Sequence, residues 1–423
     1  MRTAAVIAEY NPFHSGHAYM LQEVRRLSGA DFLLVVMSGD FAQRGTPAVF
    51  DKYTRTEMAL AGGADLVLEL PLAASCGSAP RFAEGAVRLL DGLGTVDELW
   101  FGSECGSMRL FHMLSDILSR EPEEYRALLR KNLASGMSFP RARAGALRVF
   151  LQDSVPEGEL SDVLSSPNNI LGLEYCIALK KLKSPIRPCT VRRRGAGYHD
   201  TDAGSGEEFP SASAVRALLT GNPSGEEHSA PDVRDMEAKL SALVPAACLP
   251  LYRRELSADS ILTEDDFSEM LLYRLSELKS GMDGSLFSGP AFLDVPGDLL
   301  RRAFRLLPEF RSFSQFAGLL KTRNTTRTQI NRALLHLLLR LTEEDLEQAA
   351  SPSFVRMLGM RRCLELLPEI KKKSRLPLIA KASALSSFSY NRDLFASELY
   401  ESVKSRKTGL PFQPEFSRAV IIR

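Results

Sequence analysis

The sequence holds no apolar run near the roughly 18 residues needed to span a bilayer. Its opening, MRTAAVIAEYNPF, has only five apolar residues between Thr3 and Glu9, too few for the core of a secretory signal. These absences argue against a membrane-embedded helical protein and place the chain in the cytoplasm. Six cysteines, at 76, 105, 176, 189, 248 and 363, form no CxxC pair, which speaks against a disulfide framework and a structural zinc site and for a reducing compartment. Net charge is also lacking: 53 Lys plus Arg against 52 Asp plus Glu leave +1, so only local clustering can attract a polyanion. No GxxxxGK[ST] or GxGxxG stands where a Walker or dinucleotide site would need it, and neither a Ser-His-Asp order nor a metal-ligand spacing is present. What remains is an ordinary globular chain of 423 residues, 44% hydrophobic and 25% charged, long enough for two or three domains.

Short apolar runs alternate with helical patterns over the first hundred residues. Ala4 to Ala8, Phe32 to Met37, Leu66 to Leu70 and Leu99 to Phe101 read as buried strands; His17 to Leu27, Lys52 to Ala61 and Arg81 to Leu90 read as helices. This alternation predicts an α/β fold with a parallel sheet, whose ligands sit beyond the carboxyl ends of the strands. A further strand is expected over Ile186 to Val191, after mainly helical patterns from about 107 to 183. The stretch TGNPSGEEHSAPD, Thr220 to Asp232, offers nothing to pack and serves as a linker. The expected division is 1–225 and 226–423, the second part mainly helical, with capping boxes at Thr263/Asp266 and Thr342/Asp345.

The sharpest motif is NPFHSGH, Asn11 to His17, directly after the first strand and at the start of a helix. A helix N-terminus offers unpaired N–H groups and positive dipole, Gly16 lets an oxyanion approach the backbone, and His14 and His17 can donate to it. This pattern resembles the HIGH-type nucleotidyltransferase superfamily, which binds ATP and catalyses attack on its α-phosphate. That resemblance implies a Rossmann-like parallel sheet domain followed here by a mainly α-helical C-terminal domain. SASAVR, Ser211 to Arg216, resembles the superfamily's second signature, with Ala214 and Val215 in place of the usual Thr and Ile. It offers Arg216 as a phosphate contact; the alternative is an exposed helix charge.

Longer stretches narrow the resemblance. AEYNPFHSGH, MSGDFAQRGTPAVFDKYTRTEMAL, GADLVLELP, FGSE, SPNNILGLEY, RRRGAGYHD, KTRNTTRTQINRALLHLLL and LGMRRCLELLPEIKKKSRLPLIAK occur in that order, and together they are similar to the bacterial tRNA(Met) cytidine acetate ligases. The resemblance implies activation of acetate with ATP to acetyl-adenylate and transfer of the acetyl group to the wobble cytidine of elongator tRNA(Met), forming N(4)-acetylcytidine. It implies ATP contacts from Ile7, Ala8, Glu9, Tyr10, Asn11, Pro12, Phe13, His14, Ser15, Gly16, His17, Ala18, Tyr19 and Met20, and from Gly102, Asn168, Arg193 and Arg194. The register leaves Asn169 as an alternative to Asn168, and a backbone contact alone as an alternative at Arg194. Mg²⁺ would travel with ATP on its phosphates.

Asp40, Gln43 and Arg44 follow the second strand, at the edge where the chemistry belongs, and are candidates to hold the acyl substrate or the far phosphates; Arg44 suits an oxyanion through its planar fork. With His14 and His17, Asp40 and Arg44 make up the expected catalytic set. Lys52, Arg55 and Glu57 divide between phosphate contact and a solvated face. From Arg301 to Arg340 nine basic residues meet one acid, Glu309, and a second cluster runs from Arg356 to Lys381. Such clusters attract nucleic-acid phosphates; Lys321, Arg323, Arg327 and Arg332 are the preferred tRNA contacts, while Phe304, Phe310, Phe313 and Phe316 read as core. The rival functions are a nicotinate-type mononucleotide adenylyltransferase, which needs no basic half, and a non-catalytic nucleotide-sensing RNA-binding protein. No obligate protein partner is called for.

Overall fold

The computed structural model describes residues 1–193, 209–221, 233–281, 291–323, 325–387 and 391–423. Ten strands are found among them: β1 (Thr3–Ala8), β2 (Phe32–Ser38), β3 (Phe41–Ala42), β4 (Thr46–Pro47), β5 (Leu66–Leu70), β6 (Glu98–Ser103), β7 (Arg187–Arg192), β8 (Val355–Met360), β9 (Leu378–Ile379) and β10 (Ile421–Ile422). Eight form one sheet in the order β10-β8-β5-β2-β1-β6-β7, with β9 beside β8; β3 and β4 pair separately as a small hairpin. The five strands from β5 to β7 are all parallel, as the alternation of short apolar runs with helices predicts. Their order reverses at β1: the chain moves outward through β2 to β5, then returns to the other side of β1 with β6. The crevice at that reversal is where open α/β sheets take their ligands.

Both faces of the sheet are covered, which is why its strands carry unbroken apolar runs. In β2, Leu33, Val35 and Met37 face one buried cluster with Val24 and Met58, while Leu34 and Val36 face the other with Phe82 and Leu90. Successive side chains point to opposite sides of a strand, so one run feeds two cores. The helix Ser15–Ser28 lies on the first face and Ala79–Leu93 on the second.

The C-terminal half does not stand apart from this sheet. β8 pairs antiparallel with β5, and β9 and β10 extend it, so the boundary expected at 225/226 does not divide the sheet. These strands escape a reading by apolar runs because Arg356 interrupts β8. Its guanidinium is 2% exposed and donates to the carbonyls of Met357 and Ala380. The same half supplies core residues to both faces, Tyr252 and Leu240 to one and Phe316, Leu335 and Val403 to the other. Phe304, Phe313 and Phe316 are buried, in keeping with their reading as core, and half-buried Phe310 packs on Phe316 at 5.0 Å between centroids. The capping boxes at Thr263/Asp266 and Thr342/Asp345 both form.

Lys52 and Arg55 are fully buried and belong to neither of the settings expected for them. Lys52 Nζ lies 2.8 Å from Glu69 Oε1, 3.0 Å from Glu415 Oε1 and 2.8 Å from Ser397 Oγ. An ammonium out of water needs such partners, since an isolated buried charge is prohibitively costly. Arg55 donates to the carbonyls of Glu9 (2.7 Å), Ser38 (3.0 Å), Phe50 (2.9 Å) and Gly39. It therefore ties together the chain where it leaves β1 and β2, the edge that bears the crevice. Among the described residues no helix is long and apolar enough to cross a membrane.

Candidate active site

A crevice of about 520 Å³ opens at the carboxyl ends of β1 and β6, a size usual for small-molecule sites. Its first wall is the turn from β1 into the helix Ser15–Ser28. His14 is the N-cap of that helix: its Nδ1 accepts the Gly16 N–H at 3.0 Å, and its own N–H faces His17 Nδ1 at 3.3 Å. The helix start is thus capped reciprocally by two imidazoles. With each Nδ1 accepting, each neutral ring carries its proton on Nε2.

This geometry changes the expected role of the motif. The Gly16 N–H is already bonded, and a Cβ on Gly16 would stand 2.9 Å from the His14 ring and 3.3 Å from Phe209 Cβ. Glycine is required here so that the imidazole can reach the backbone, and the donors left for a ligand are the two Nε2–H groups rather than unpaired amides. The rings stack with centroids 3.8 Å apart, and Tyr10 packs edge-on to His17 at 4.9 Å. Burial, together with the positive charges of Arg193 and Arg216, pushes His14 down to about 3; burial, His14 and the same arginines hold His17 well below its ordinary value. Both imidazoles are neutral donors at physiological pH.

Arg193, Arg216, Gly102 and Asn168 line the same crevice. The side chain of Arg193 crosses Gly102, where a Cβ would meet its Cγ at 3.3 Å. Arg216 is not the exposed helix charge: it donates to the Asn11 carbonyl and, at 2.9 Å, to Ser213 Oγ. Ser211 caps the helix Ala212–Thr220 by accepting from Ala214 N at 3.0 Å, so the SASAVR segment opens a helix against the crevice. The departures at Ala214 and Val215 are buried and cost the crevice no contact that their side chains would make.

The two asparagines of SPNN separate cleanly. Asn168 lines the crevice and donates to Glu104 Oε1 at 2.6 Å, whereas Asn169 is buried and its Oδ1 accepts from Glu104 N (2.9 Å) and Cys105 N (3.3 Å). Of the segment Ile7 to Met20, the residues Pro12, Phe13, Ser15 and Ala18 do not line the crevice. Phe13 and Ala18 point into the core. Asp40 does not line it either. It is 5% exposed, accepts from Lys52 N at 2.7 Å, and is pushed up to about 6 by burial; it closes the loop after β2 instead of facing the crevice. Arg44 does line the crevice, and Arg194 lies outside the described residues.

The opposite wall comes from distant parts of the chain. Gln43 and Arg44 on the β3–β4 turn, Thr263 and Glu264, and Arg327, Thr328 and Asn331 on the helix Arg327–Leu339 all line it. Of the expected tRNA contacts, Arg327 reaches the crevice and also donates to Ser314 O at 2.6 Å; Lys321 and Arg323 are exposed nearby, and Arg332 is half-buried with Nε 3.5 Å from Asp294 Oδ2. Two features escaped the sequence: the stack of Tyr19 on Phe209, 4.7 Å between centroids, and the arrival of Thr263, Glu264 and Asn331. The only signal for Phe209 was its place just before the SASAVR helix.

Residues 1–411 match the model of the HIGH Nucleotidyl Transferase family. The tRNA(Met) cytidine acetate ligase of Acetivibrio thermocellus is 36% identical over 90% of this chain and 89% of its own length, and that of Clostridium acetobutylicum 34% identical over 100% of both. The chain belongs to this ligase family of HIGH nucleotidyl transferases. It is an enzyme, and its fold is that of a solved relative: the crystal structure of Thermotoga maritima TmcAL without ligand superposes with a TM-score of 0.87 at 28% identity, over 100% of this chain and 99% of that one. The same protein bound with α-thio ATP gives 0.85 over the same shares.

Proposed function

We propose that the protein activates acetate with ATP and passes the acetyl group to the wobble cytidine of elongator tRNA(Met), forming N(4)-acetylcytidine. The observation that carries this reading is the set of two neutral Nε2–H donors and two arginines at a helix N-terminus on the reversal point of the sheet, in a chain whose relatives bear the ligase name and include one bound with an ATP analogue. In the first step an acetate oxygen attacks the α-phosphorus, the bond to pyrophosphate breaks, and pyrophosphate leaves with the electron pair. His14, His17, Arg193 and Arg216 offset the charge that develops on the phosphate oxygens, while the rigid turn after β1 fixes the line of attack. Neutral imidazoles suit this task, because they donate without the desolvation that a buried cation would demand. Gly102 leaves room for the nucleoside beside Met20, and Arg44 faces the acyl carboxylate or the leaving pyrophosphate.

In the second step the cytidine amine attacks the acetyl carbonyl, the mixed-anhydride bond breaks to release AMP, and the amine proton passes to water. No covalent protein nucleophile is needed. Residues 1–225 carry the activation in this reading, and 226–423, with Lys321, Arg323, Arg327 and Arg332, carry most of the tRNA contact. Mg²⁺ would travel with ATP and supply counter-charge to its phosphates. The test is labelled acetate with protein and ATP, with and without tRNA. Label in an adenylate that moves to tRNA when tRNA is added is the expected result; pyrophosphate release with nicotinate mononucleotide but not with acetate would overturn it in favour of an adenylyltransferase.

A further inference from the structure

The wall of the crevice opposite the two histidines carries an unspent pair of hydrogen-bonding groups. Gly45, at φ +77°, brings the β3–β4 turn so close to the helix Arg327–Leu339 that a Cβ there would stand 2.2 Å from Arg332 N and 2.5 Å from the Asn331 carbonyl carbon. Gln43, two residues before Gly45, and Asn331 thereby come to line one crevice. Asn331 is 6% exposed, and both side chains line the crevice. Gln43 Nε2 and Asn331 Oδ1 are buried and have no hydrogen-bond partner among the described residues, each other included. Buried polar groups in folded proteins are almost always satisfied, so an unpaired donor and an unpaired acceptor on one crevice wall mark a place where a ligand completes the bonding.

The chemistry of the pair selects the ligand. A carboxylate has only acceptors and would leave Asn331 Oδ1 unpaired; a phosphate has the same defect. A base edge with an amine beside a ring nitrogen satisfies both. We infer that Gln43 and Asn331 form the acyl-acceptor subsite, Asn331 Oδ1 taking one hydrogen of a cytosine amine and Gln43 Nε2 donating to the ring nitrogen or carbonyl beside it. This rests on the ligase reading and deepens it. One amine hydrogen held in the plane of the base leaves the nitrogen's perpendicular face for the acyl carbon, and Arg327, four residues before Asn331 on the same helix, puts a cation beside the nucleotide that carries the base. Uracil has a carbonyl where the amine stands, so it is refused here as well as being unable to react.

Adenylate formation and acetyl transfer are followed separately in single turnover on the full-length protein, with ATP, labelled acetate and unmodified tRNA(Met). In Asn331→Ala and Gln43→Leu, transfer is expected to fall at least 30-fold more than adenylate formation. Equal loss of both steps would assign the two amides to the acetate or nucleotide and overturn the inference, as would transfer at the wild-type rate. Gln43→Leu, on a turn, carries the test if Asn331→Ala does not fold. Absence of any adenylate from the wild-type protein would instead overturn the ligase reading beneath it.

Discussion

The two ends of the crevice differ in their mixture of polar groups and in how the chain brings them together. At the β1 end, four donors, His14, His17, Arg193 and Arg216, face inward; the histidines come from one short motif and lock one another through a reciprocal cap. At the far end the amides Gln43 and Asn331, two threonines, Thr263 and Thr328, and the charged Arg44, Glu264 and Arg327 converge from three segments, with β3–β4 packed on the helix Arg327–Leu339. A site for polyanion chemistry needs fixed donors in a water-poor place, and a contiguous motif on a strand and helix supplies them with little freedom to move. A site for a neutral base needs matched donors and acceptors, which the fold gathers from several segments.

Substitutions at the two ends should therefore separate the half-reactions. The largest effect is expected of His17→Ala, which removes a donor and half of the helix cap: adenylate formation falls by about 10² to 10³-fold, the range for losing one oxyanion donor, while tRNA affinity measured by filter binding stays within about 2-fold. Loss of tRNA binding in the same variant would mean that the two ends are not independent. Next in size is acid sensitivity. The folded-state value of His14, about 3, lies below that of an unfolded histidine, so below about pH 6.5 the unfolded chain takes up a proton that the folded one refuses. Stability should fall as pH drops from about 6.5 towards 3, by up to about 1.4 kcal/mol per pH unit for this group. His14→Ser keeps a capping oxygen without the titration; its melting temperature should drop less than that of the wild type between pH 7 and pH 4.5, and an equal drop would remove His14 as the cause.

A second contrast, between the two basic clusters, gives smaller effects. Lys321, Arg323 and Arg327 lie at the carboxyl edge with the crevice, whereas β8 runs antiparallel to β5 and its last residue, Met360, pairs with Leu66. Arg361 and Arg362 therefore emerge at the amino edge, where Arg361 is 3.1 Å from Asp65 and the Lys373 carbonyl lies against Gly94. Changing Lys321 and Arg323 to Ala should lower the slope of log affinity for tRNA against log salt by about 1.5 to 2, as expected for two lost phosphate contacts. Changing Lys371, Lys372 and Lys373 to Gln should lower it by less than about 1. A larger effect from the lysines would turn the tRNA towards the opposite edge.

Much of the histidine end of the crevice was legible in the chain. Five strands, the helices between them and the NPFHSGH turn followed from local pattern, because a strand, a turn and a helix start are set by neighbours in sequence. The register of SPNN was not, since only the burial of Asn169 under the Glu104–Cys105 turn distinguishes it from Asn168. Asp40 and Arg44, four residues apart on one loop, read alike as candidates, and packing alone sent the first to the backbone of Lys52 and the second to the crevice. Lys52 and Arg55 likewise looked like surface or phosphate-binding cations until Glu69, Glu415 and three strand-end carbonyls closed around them.

Residue order along the chain settled the strands and helices of the parallel sheet and the paired histidines at the first helix, which depend on local pattern and on the right-handed crossover such sheets obey, while the strand order and its reversal at β1 came from pairings such as Ala4 with Glu98. The tertiary structure alone settled that the last seventy residues return to extend that sheet, that the Gly16 N–H bonds the His14 imidazole, and that Gln43 and Asn331, almost three hundred residues apart, line one crevice. Those outcomes turn on which side chains exclude water from one another in three dimensions, and no local spacing encodes that.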